Sequence, residues 1–144
     1  MKKNVFIIFI SVLMLGCNSD DDNSSLENTC DFISKVISEE DFNAINTSNY
    51  QIADVELNNH CLEIKFSSCG CDPELWRENL YSTNSFYTVF PLQRTLKIEL
   101  INEKMCQAVF KKSISFDLTP FQIDGQRTLP LNIDGWNEQI IYEY

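Results

Sequence analysis

Ile52-Ala53-Asp54-Val55-Glu56-Leu57, then Asn58-Asn59-His60, then Cys61-Leu62-Glu63-Ile64-Lys65-Phe66 is the stretch on which the fold turns. Its apolar and polar residues alternate on both sides of a polar, turn-forming triplet. A period of two sends successive side chains to opposite faces of a strand, so the segment reads as an antiparallel hairpin with one apolar face.

Alternation continues towards the C-terminus. Trp76 to Tyr81 reads as a strand, although Asp72-Pro73 would equally open a short helix through Trp76 and Leu80. Arg94 to Ile101 and Met105 to Leu118 read as a second hairpin across Asn102-Glu103-Lys104. In it, Leu96, Ile98 and Leu100 share one phase, while Cys106, Ala108, Phe110, Ile114, Phe116 and Leu118 share another. Lys112 breaks that second phase, and a bend or bulge near Lys111-Lys112 would carry its charge outside. The Asp-Gly pairs at 124–125 and 134–135 are turn signals, and a last strand falls near Gln139 to Tyr144.

Before the hairpin the spacing changes. Phe32, Ile33, Val36 and Ile37 suit a helix, and Ser38 ahead of Glu39, Glu40 and Asp41 suits a capped restart leading to Phe42 and Ile45. The expected fold is therefore mainly β: an antiparallel β-sandwich of about seven to eight strands with one or two short N-terminal helices.

The first residues carry an address. Lys2 and Lys3 precede an apolar run from Val5 to Leu15, closed by Gly16-Cys17. A charged start and a run too short to span a bilayer have the layout of a secretory signal. Met14-Leu15-Gly16-Cys17 resembles the lipobox of bacterial lipoproteins, with Met14 where Leu is usual, and this implies a diacylglycerol on the Cys17 sulfur. Cys17-Asn18-Ser19-Asp20-Asp21-Asp22 is similar to the export sequence of Bacteroidetes surface lipoproteins, which implies outer-membrane, cell-surface exposure. The same acidic run also reads as a plain solvated linker. The resulting division is a signal peptide over 1–16, a lipidated acidic linker over 17–28 and one globular domain over 29–144. Within that domain, Asp54-Val55-Glu56, Cys61-Leu62-Glu63-Ile64, Gly70-Cys71-Asp72, Arg94-Thr95-Leu96-Lys97 and Cys106-Gln107-Ala108-Val109-Phe110 resemble small flavobacterial lipoproteins of unknown function, a likeness that implies no activity.

Charge narrows the partners. Taking Lys2 and Lys3 from the 11 Lys/Arg, against 21 Asp/Glu, moves the formal charge from −10 to −12. Phosphate backbones repel such a chain, so nucleic acid is not an expected partner, and the lipid rather than a basic patch would supply membrane contact.

Chemistry is sparse. His60 is the one histidine and sits in a polar turn, which leaves Ser or Cys nucleophiles without an evident base. Two carboxylates across a cleft would suit a glycosidase, but no pair stands out among the acids. Cys30, Cys61, Cys69, Cys71 and Cys106 remain beyond Cys17. An exported domain favours disulfides over a thiolate metal site, and Cys69-Gly70-Cys71 is too close to close on itself, so Cys69 or Cys71 is expected to bridge Cys106. Trp76, Tyr81 and Trp136, with Phe86, Tyr87 and Phe90, are either core or a platform for stacking sugar rings. No metal or other cofactor is implied. The expected function is a non-enzymatic surface binding module whose partner is a glycan or an envelope protein. The alternatives are a structural or assembly accessory of an outer-membrane complex, and a small enzyme.

Overall fold

The computed structural model describes residues 29–85, 92–104 and 106–144. Cys17, Ser19, Asp20, Asp21 and Asp22 lie outside the described residues, as do Phe86, Tyr87, Phe90 and Met105. The strands are β1 (Phe32–Ile33), β2 (Lys35–Ile37), β3 (Tyr50–Asn58), β4 (Cys61–Cys69), β5 (Arg77–Thr83), β6 (Arg94–Ile101), β7 (Val109–Asp117), β8 (Thr128–Ile133) and β9 (Ile140–Glu143). Among the described residues one short α-helix, α1 (Glu39–Ala44), joins them.

These nine strands form two sheets, ordered β1-β7-β4-β3 and β2-β5-β6-β8-β9. The expected hairpin is present: β3 and β4 pair antiparallel around Asn59-His60, and Asn59 takes the positive φ of 55° that the tight turn requires. Leu62, Ile64 and Phe66 of β4 are buried at 0–1% exposure, facing inward as their alternation predicts. A buried cluster of apolar side chains from β3 to β8, closed by Tyr142 of β9, fills the core.

Both sheets are mixed, which corrects the expectation of a purely antiparallel sandwich. β1 runs parallel to β7, β2 to β5, and β6 to β8. The last pairing follows from a further correction: β6 and β7 are not a hairpin. β7 pairs instead with β4 along its whole length, from Cys61↔Asp117 to Cys69↔Val109. After β6 the chain crosses to the other sheet, runs back as β7, and returns beside β6 only after a second reversal. β8 therefore lies parallel to β6.

No register shift interrupts the β4/β7 ladder, so no bulge falls at Lys111-Lys112, and the irregularity lies in β3 between Ile52 and Asp54. Lys112 stays in the inward phase. Its ammonium meets the Glu78 carboxylate at 2.7 Å and donates to the Pro73 carbonyl at 3.1 Å.

Phe32 to Ile37 is not a helix. Ser34 is 1% exposed and marks a corner where one extended segment leaves the first sheet and joins the edge of the second. Its N–H and Oγ both donate to the Asp117 carbonyl, at 3.1 and 2.6 Å. Apolar residues on either side of such a corner produce the same spacing as a helix turn. The restart at Ser38 does form, with Ser38 Oγ accepting from the Asp41 N–H to cap α1. Asp72 caps a 3-10 turn, Pro73–Leu75, before β5, so the two readings of that segment occur in succession.

Disulfides join Cys30 to Cys61 and Cys71 to Cys106, while Cys69 is an exposed thiol. Gly70, between Cys69 and Cys71, packs so closely that an added Cβ would meet Asn102 Nδ2 at 2.7 Å and Trp76 Nε1 at 2.8 Å. Trp76 is itself core, 4% exposed, and cannot easily retreat. Gly70→Ala should therefore cost about 1–3 kcal/mol, as overpacking does. A urea midpoint equal to that of the parent would refute this close-packed reading.

Candidate ligand cleft

The alternation that fills the core also sets polar groups on the outer face of the five-stranded sheet. With Leu96 and Ile98 of β6 buried, Thr95 and Lys97 face outward; on β8, burial of Leu131 and Ile133 leaves Asn132 to the outside, followed by Asp134. α1 adds Glu39, Phe42 and Asn43, and the end of β5 adds Thr83 and Ser85. Together they line an open cleft of about 740 Å³.

Several of these groups are already held in place. Lys97 Nζ donates to the Phe42 carbonyl at 3.1 Å and lies 4.8 Å above the Phe42 ring, fastening α1 to the sheet. Glu39 accepts from Ser85 Oγ at 2.7 Å, and Asp134 from Thr47 Oγ1 at 2.9 Å. Asn132 donates to Gln93 Oε1 at 3.2 Å and accepts from Gln139 Nε2 at 3.0 Å. An ammonium carries three donors and each carboxylate oxygen two lone pairs, so these contacts orient the groups without exhausting them. Nearby, Tyr50 donates to the Ile98 carbonyl at 3.0 Å. Burial, and then the Asp134 charge, push its phenol well above the ordinary value, so it remains a neutral donor.

The residues singled out in the sequence do not assemble here. Trp76 is core, 6.2 Å from Phe66 and 6.3 Å from Phe110 between ring centroids. Tyr81 is half-buried on the outer face of β5, in register with Lys97 but turned to a neighbouring hollow beside Glu99, Ile37 and Asp41, and its phenol is raised by burial and then by Glu99. Trp136 packs against the core cluster. With Trp76 and Tyr81 facing opposite sides of the sheet, the stacking platform proposed for the three aromatics does not form.

His60 is exposed at its turn and bonds through Nδ1 to Tyr142 OH at 2.8 Å. Gln122 Nε2 donates to the same hydroxyl at 2.8 Å. The contact of His60 with Tyr142 ties the β3-β4 turn to β9. Asp124-Gly125 and Asp134-Gly135 are turns with positive φ at both glycines, 79° and 85°. Among the described residues, no three His, Cys, Asp or Glu gather as a metal site, and no helix is long and apolar enough to cross a membrane.

The sequence does contain the cleft's signal, in Thr95-x-Lys97 and Asn132-x-Asp134. Each pair alone reads as a solvated strand face, and only the parallel pairing of β6 with β8, Thr95↔Asn132 in register, makes them neighbours.

No protein-family model matches this chain, and no curated protein resembles it in sequence. Two solved structures do resemble it in shape. One is a protein of unknown function, DUF1344, from Bacteroides vulgatus, with a TM-score of 0.52 and 16% identity, over 78% of this chain and 55% of that one. The other is a putative toxin-related protein from Parabacteroides distasonis, with a TM-score of 0.49 and 16% identity, over 78% of this chain and 57% of that one. The chain thus spans just over half the length of either. What the likeness to the Bacteroides vulgatus protein shows is a shared mainly β fold.

Proposed function

We propose that the protein is a non-enzymatic binding module, lipid-anchored through Cys17 at the outer-membrane surface, whose cleft beneath α1 takes a small hydroxyl-rich ligand of the glycan class. The observation that carries this reading is the cleft's lining: hydroxyls of Thr83, Ser85 and Thr95, amides of Asn43 and Asn132, and the charges of Lys97, Glu39 and Asp134 around one concave surface. Mixed donors and acceptors of this kind suit a ligand that presents both at every ring position. Phe42 is 8% exposed and its ring is already covered by Lys97, so recognition runs through hydrogen bonds rather than stacking. The anchor rests on Met14-Leu15-Gly16-Cys17 and the acidic run after it.

A panel of neutral oligosaccharides titrated against the protein, followed by amide chemical shifts, tests the reading. Shifts should concentrate at Thr95, Lys97, Asn132 and Asp134. Asp134→Ala should weaken binding roughly 10-fold or more, the usual effect of losing one charged hydrogen-bond partner. Unchanged shifts in the cleft across the panel would overturn the glycan reading, and co-purification with an integral outer-membrane partner would replace it with the accessory role. Loss of lipid labelling in Cys17→Ser tests the anchor separately.

A further inference from the structure

Three cysteines, one thiol and one disulfide, meet at one corner of the four-stranded sheet. Cys69, Cys71 and Cys106 are all exposed, whereas Gly70 between the first two is buried. The ladder continues one step past the Cys69↔Val109 pair, since the Gly70 N–H donates to the Ala108 carbonyl at 2.9 Å. Alternation about that buried glycine places Cys69 and Cys71 on the same outward face. Cys71 bonds Cys106, with their Cα atoms 4.8 Å apart, and Cys106 lies between β6 and β7, outside either strand. A step of two residues along extended chain is about 6.7 Å, so the Cys69 thiol stands one such step from Cys71 and its bridge to Cys106, on the same face.

We propose that this corner is a thiol–disulfide exchange site in which Cys106 alternates between Cys71 and Cys69. The Cys69 thiolate sulfur attacks Cys106 Sγ, the Cys69–Cys106 bond forms as the Cys71–Cys106 bond breaks, and Cys71 leaves as a thiolate that takes a proton from water. The count of thiols and disulfides is unchanged, so the step needs neither oxidant nor reductant. Its consequence is a surface thiol with two interchangeable positions. The other bridge does not take part, because Cys61 is 7% exposed and sits at the far end of β4 from Cys69.

The full-length protein, held at pH 8.5, quenched in acid, alkylated without reduction and cut with an acid-active protease, decides the matter by mass mapping. The expected result is a Cys69–Cys106 peptide beside the Cys71–Cys106 one, with alkylation divided between Cys69 and Cys71. The new peptide should account for at least about a tenth of the molecules. Cys69→Ser should remove every trace of alkylated Cys71, and an intact Cys30–Cys61 peptide reports that the fold persists. Alkylation confined to Cys69 in the parent protein overturns the proposal, as does alkylated Cys71 surviving in Cys69→Ser.

Discussion

Lys112→Met should destabilise the domain by about 3 kcal/mol, because it removes the cation from a carboxylate that cannot reach water. The Glu78 side chain is 1% exposed, and Lys112 approaches it to 2.7 Å from the facing sheet. Methionine keeps most of the volume, so packing loss is a minor part of the cost; the larger part is a buried charge left without its counter-ion. The Lys112 side chain is 22% exposed, which lets water reach that end of the pair and sets the effect at the lower end of the range for buried ion pairs. Replacing both partners, Glu78→Leu with Lys112→Met, should recover most of the loss, since an apolar pair owes no desolvation. Urea unfolding of the two single variants and the double variant gives the coupling directly. A Lys112→Met cost below about 1 kcal/mol would show that the pair is solvated and that the inward position of Lys112 is incidental.

That lysine also shows where the sequence stopped being legible. Alternation located β7 and its phase from Phe110 to Phe116, although Cys106 and Ala108, read as part of the same apolar phase, lie exposed before the strand begins at Val109; a charge in an apolar phase has two solutions, a bend that expels it or a partner that neutralises it. The partner, Glu78, lies in another strand and another sheet, and no local pattern links the two. The same limit explains β6 and β7. Each strand was readable from its own residues, whereas pairing depends on which ladder is longer, and the nine-residue match of β7 with β4 outweighs the short connection after Ile101. The β3-β4 hairpin was legible throughout because strand, turn and partner are consecutive. The Ser38 cap was legible for a similar reason, its donor lying three residues away. Phe32 to Ile37 misled because the fact that distinguishes a corner from a helix is the Ser34 bond to Asp117, 83 residues distant. The cleft inherits every one of these non-local steps, which is why Thr95, Lys97, Asn132 and Asp134 gave no sign of each other.

Removing the Cys30–Cys61 bridge, by Cys30→Ser with Cys61→Ser, should cost about 3.5 kcal/mol, the chain-entropy value for a cross-link of this span. The two cysteines are 31 residues apart and join the start of the domain to the first residue of β4. β1 is a two-residue edge strand and has little ladder of its own. What else holds it is the Asp31 carboxylate, which accepts from the Ser115 N–H at 2.8 Å and from Ser115 Oγ at 2.7 Å, and the contact of Phe32 with Phe116, 5.8 Å between ring centroids. Without the bridge, hydrogen exchange should quicken first at Ser34, whose N–H bonds Asp117, and only later in β4 and β7. The Cys71–Cys106 bridge spans a similar 35 residues, so chain entropy alone assigns it a similar cost. Cys71→Ser, refolded with oxidised glutathione as the two-electron oxidant, should nevertheless lose much less than the Cys30/Cys61 double variant, because Cys69 can then close a loop of nearly the same length with Cys106. Equal losses at the two bridges, measured by urea unfolding under non-reducing conditions, would mean that Cys69 cannot substitute and that each tether is unique.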